Sequence, residues 1–61
     1  MPDFVTLVKE LLVGEFCYTD NEVEALVNKH PDVIGRFMRM GFNHLRACCF
    51  GLEMAEEQDK A

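Results

Sequence analysis

No run of apolar residues in this 61-residue chain approaches the roughly 18 that a membrane-crossing helix needs. The first residues carry neither a basic region nor a long apolar core, so no secretory signal is expected. Cysteine is scarce and odd in number, three in all, which argues against a secreted disulfide scaffold. These absences predict a reduced, cytoplasmic protein. There is no CxxC pair, and Gly14, Gly35, Gly41 and Gly51 form no phosphate-binding pattern. Residues 33–57 contain no proline and no strand-like alternation, and no repeat or low-complexity segment occurs anywhere.

Apolar residues are plentiful, at 49% of the chain. A domain of this length buries only roughly 60% of its unfolded surface. Part of the apolar content must therefore stay exposed or meet a partner. The net charge is -5, and it is unevenly spread. Residues 1–24 carry -5, residues 25–52 carry +3 and residues 53–61 carry -3. An acidic, basic, acidic order of this kind is a functional clue.

The expected architecture is a single all-α domain over residues 1–61. It is a bundle of three helices, or four, with a long C-terminal helix and an acidic tail fraying from about residue 57. Phe4, Val5, Leu7, Val8, Leu11 and Leu12 have the spacing of one helical face. Asp3 suits the cap of that helix, and Gly14 suits a left-handed residue at its end. Thr19 and Glu22 fit a capping box for a second helix, with Tyr18 and Val23 in the positions of a hydrophobic staple. Pro31 ends that helix at His30 and suits the first turn of a third. Ile34, Met38, Phe42, Leu45, Cys49 and Leu52 then keep helical phase, which slightly favours one continuous helix over 32–57. The alternative is a break at Gly41, with Asn43 capping a fourth helix.

Chemistry has few candidates. His44 and Cys48 lie one helical turn apart and, with Cys17, offer a partial zinc set, but structural zinc wants four ligands. The favoured reading makes all three cysteines small buried hydrophobes. A thiol nucleophile would need a base and a polarised setting. His44 is the only local base, with no orienting acid, so no catalytic residue, metal or cofactor is assigned.

Association carries the functional expectation. Ala47, Phe50 and Met54 form an apolar arc outside the main stripe, flanked by Arg46, Glu53 and Glu57. On a continuous helix Arg36, Arg39, Asn43 and Arg46 form a basic row that runs into Glu53 and Glu57. Two antiparallel copies would then set Arg39 against Glu53 of a second copy, about an axis near residue 46. The expected function is therefore that of a small non-enzymatic regulator, adaptor or inhibitor that binds protein as a homodimer. Its size and acidity suit a phage or mobile-element product. One alternative is a helix-turn-helix nucleic-acid binder using Arg36, Arg39 and Arg46, against which the acidic ends argue. The other is a small metal-stabilised module built on His44 and Cys48.

Overall fold

In a computed structural model, residues 3–60 are described. They form α1 (Phe4–Gly14), α2 (Asp20–Lys29), α3 (Pro31–Met40), a single 3₁₀ turn (Phe42–His44) and α4 (Leu45–Lys60). The fold is all-α with a long C-terminal helix, as the periodicity predicts, and the described residues contain no strand. None of these helices is long and apolar enough to cross a membrane.

Local chemistry sets most of the helix ends. The Asp3 carboxylate accepts the Thr6 N–H at 2.8 Å, which satisfies one of the free donors at the start of α1. That bond holds the Asp3 carboxyl below its ordinary range. The Thr19–Glu22 capping box is complete: Glu22 N–H donates to Thr19 Oγ1 at 3.2 Å, and Thr19 N–H donates to Glu22 Oε1 at 2.9 Å. Pro31 opens α3 directly after His30.

Two expectations are corrected. The left-handed residue after α1 is Cys17 (φ 61), not Gly14, which lies inside the helix. Glu15 caps α1 in the right-handed region, and its N–H donates to Leu11 O at 2.8 Å. The second correction is larger: the helix over 32–57 is not continuous. Gly41 sits at φ 106 and ψ 176, and its N–H bonds back to Phe37 O and Met38 O. This is a conformation essentially restricted to glycine. Asn43 lies within the 3₁₀ turn and does not cap α4. The apolar stripe divides accordingly. Ile34, Cys49 and Leu52 are buried, whereas Met38 and Phe42 are exposed.

The break lets α4 fold back as the spine of the molecule. α4 packs most extensively against α1, then against α3. Val8 and Leu12 of α1, Val23 of α2, and Cys48, Cys49 and Leu52 of α4 are fully buried side chains. Gly51 explains how α3 comes so close. A Cβ there would lie 3.0 Å from Phe37 Cε2 and 3.3 Å from Val33 Cγ1. Residues 57–60, expected to fray, are helical as far as Lys60; Ala61 lies outside the described residues.

Candidate functional site

The break at Gly41 redistributes the residues expected to act together. Arg36 and Arg39 stand exposed on α3, while Arg46, Glu53 and Glu57 stand on α4. The basic-to-acidic row is therefore not one helical face, and the register pairing Arg39 with Glu53 of a second copy loses its basis. Arg46 is already engaged within the chain, 2.6 Å from Glu15 just beyond the end of α1. Glu53 is half-buried, and with Glu57 it lines a cleft between α2 and α4.

The outward apolar face of α4 is present as expected. Ala47, Phe50 and Met54 fall at i, i+3 and i+7, positions that share one side of a helix. All three are exposed, Phe50 by 51% and Met54 by 62%. The Phe50 ring meets Phe16 edge-on at a centroid distance of 5.0 Å, so it is anchored at one edge and open at the other. A second apolar patch surrounds the break, where Met38, Met40 and Phe42 are exposed. Phe42 is steadied by Phe4, with ring centroids 5.9 Å apart. Only Phe37 among the clustered methionines and phenylalanines of α3 and α4 packs against the core.

The cysteines resolve into two kinds. Cys48 and Cys49 are fully buried between helices, and the Cys49 thiol donates to Val8 O at 3.7 Å. Burial pushes the Cys48 thiol up to about 11. Burial, together with the neighbouring Cys48, pushes Cys49 up to about 12. Thiols held neutral in this way pack rather than react. Cys17, expected to be buried like the other two, is instead exposed on the α1–α2 linker. Cys17, His44 and Cys48 do not come together as a ligand group among the described residues.

A different cluster does form, and sequence reasoning passed over it. His30, read only as a helix boundary, is 8% exposed. Its Nε2 points at Glu56 Oε2 and Asp59 Oδ2, 3.5 Å from each. The Lys29 ammonium lies 3.4 Å and 3.5 Å from the same two oxygens, and Glu56 is the main cause of its raised pKa. The one available signal was Glu56 and Asp59 at i and i+3, which puts two carboxylates on one helical side. Nothing in the sequence sets that side against His30. The cleft between α2 and α4 runs from here past Tyr18, with a volume of about 360 Å³. Burial raises the Tyr18 phenol, with Glu53 and Glu22 adding to the shift.

Comparison with protein-family models, curated proteins and solved structures finds no match to this chain.

Proposed function

We propose that the protein is a non-enzymatic helical docking module that binds protein partners as a homodimer through α4, acting as a small regulator, adaptor or inhibitor. The observation that carries this reading is the outward row Ala47–Phe50–Met54 on the helix that also supplies the core. A helix buried along one side and apolar along a second exposes surface that water disfavours. A second copy suits this surface because the row is small at one end and large at the other. Antiparallel pairing about an axis near Phe50 and Gly51 sets Ala47 of one copy against Met54 of the other. Two-fold interfaces demand such self-complementarity. The same arrangement brings His44 and Arg46 to the end that carries Glu57 of the second copy. Met38, Met40 and Phe42 then remain for a different protein, and flexible methionine side chains adapt to varied surfaces.

Other features agree with a binding role. Two of the three thiols are buried and neutral, which suits packing better than catalysis. Free cysteines suit the reducing cytoplasm. The nucleic-acid reading is weaker than the sequence implied. Arg46 is paired with Glu15, and a single residue, His30, joins α2 to α3. A helix-turn-helix uses a turn of roughly three or four residues.

Sedimentation equilibrium tests the proposal at tens of micromolar, on the order of a weak interface's dissociation constant. The wild type is expected at twice the monomer mass and Met54→Glu near the monomer mass. Met54 has no place in the core, so its loss should leave the fold intact. A monomeric wild type refutes homodimerisation.

A further inference from the structure

We propose that His30, Glu56 and Asp59 form a binding site for a divalent transition cation of the zinc class. Their ligand atoms lie within 4.8 Å of one another, and they come from two separate parts of the chain, the α2–α3 joint and the last turns of α4. The observation that turns an acidic pair into a site is the imidazole. Its Nε2 is buried, has no hydrogen-bond partner, and faces both carboxylates. A buried polar atom without a partner is unfavourable, and in native proteins it calls for a ligand, an ion or a water.

The spacing fits a metal better than a hydrogen bond. At 3.5 Å from each oxygen, Nε2 is beyond good hydrogen-bond length. Zinc holds nitrogen and carboxylate oxygen at about 2.1 Å, and the edge of such a tetrahedron is about 3.4 Å. The two nitrogen-to-oxygen separations are therefore those of ligands around one small ion. Donor chemistry selects the class. Imidazole suits zinc and its transition-metal neighbours, whereas calcium wants roughly six to eight oxygens. Two carboxylates balance a double positive charge, and a water completes the fourth position.

Lys29 is the built-in competitor. Its ammonium already offsets one of the two negative charges of Glu56 and Asp59, and its side chain is half-exposed, free to swing into water when a cation arrives. The bound ion would tie the α2–α3 joint to the end of α4 through coordination bonds. The proposal is independent of the docking face, because Ala47, Phe50 and Met54 take no part in it.

Isothermal titration of the chelator-stripped 61-residue Cys17→Ser chain with zinc chloride tests the site, since that background removes the exposed thiol. One ion per chain is expected. His30→Gln and Glu56→Gln should each weaken binding at least as much as loss of an outer-shell partner does, roughly 10–100-fold. Lys29→Met should tighten it, a change that misfolding cannot imitate. Zinc should raise the melting temperature of the parent but not of Glu56→Gln. Absence of heat and of a melting shift at millimolar zinc overturns the proposal. So does binding that His30→Gln and Glu56→Gln leave unchanged, or that Lys29→Met fails to tighten.

Discussion

Replacing Gly41 with alanine gives opposite results for the two ways of reading residues 32–57. If the segment were one helix, Gly41 would be a mid-helix glycine, and alanine would stabilise the protein by roughly 1 kcal/mol. In the structure Gly41 sits at φ 106 and ψ 176 between α3 and the 3₁₀ turn. Holding a residue with a side chain in that region costs about 1–3 kcal/mol. A Cβ at this position meets no atom within 4 Å, so the penalty comes from the backbone alone. Alanine also narrows the unfolded ensemble, which returns about 0.4–1 kcal/mol. The balance is a loss of about 0–2.6 kcal/mol, centred at roughly 1.3 kcal/mol. Escape into a continuous helix would carry Cys49 and Leu52 away from Val8 and Leu12, all of them fully buried. Urea denaturation followed by far-ultraviolet circular dichroism reads the change as a lower midpoint at an unchanged slope. For a domain of this size the melting temperature should fall by about 4–8 °C per kcal/mol. A midpoint equal to or above the wild type refutes the break at Gly41.

Cys49→Ala removes a fully buried sulfur and its contact with Val8 O. It should cost roughly 1–2 kcal/mol in the same denaturation experiment. A thiol reagent at neutral pH should label Cys17 alone in the native protein. Prompt labelling of Cys48 or Cys49 without unfolding would contradict their burial. Thr19→Ala breaks the capping box and should cost about 1 kcal/mol. The Asp3 and Glu22 carboxyls are held below their ordinary values by bonds to Thr6 and Thr19. Their contribution to stability is therefore full above the unfolded values and is lost as pH falls through the lower folded ones. Acid titration of the midpoint, with and without Glu22→Gln, should show the variant losing less on acidification. In gel shifts at physiological salt, duplex DNA should bind no tighter than about micromolar, because the acidic ends of the chain oppose phosphate contact. Salt-sensitive binding below that level, abolished by Arg36→Ala/Arg39→Ala, would revive the nucleic-acid reading.

The parts legible in the sequence are those whose causes are local. Asp3, the Thr19–Glu22 box and Pro31 act on neighbours three or four residues away, so their chemistry is written beside the helix ends they set. The break at Gly41 was legible only as the alternative to a continuous helix, for a definite reason. Ile34, Cys49 and Leu52 keep helical phase across it, and periodicity cannot register an interruption that preserves phase. What decides the break is the fit of α4 against α1, a long-range contact. The outward row Ala47–Phe50–Met54 could be read because it lies on one uninterrupted helix. The cluster of His30 with Glu56 and Asp59 could not, since neither part implies the other until the bundle closes.

The pairing of α1 with α4 has a consequence for how the chain is made. Val8 reaches its hydrogen-bonded neighbour Cys49 across a sequence separation of 41 residues. A ribosome adding about 5–20 residues per second leaves that first helix without its main support for roughly 2–8 s. Through that interval Val8 and Leu12 have only Val23 and Leu26 of α2 to close on. The α1–α4 part of the core can close only once Cys49 and Leu52 have emerged. A reading-frame lesion anywhere before Leu52 would therefore strip Val8 and Leu12 of the helix that covers them most extensively.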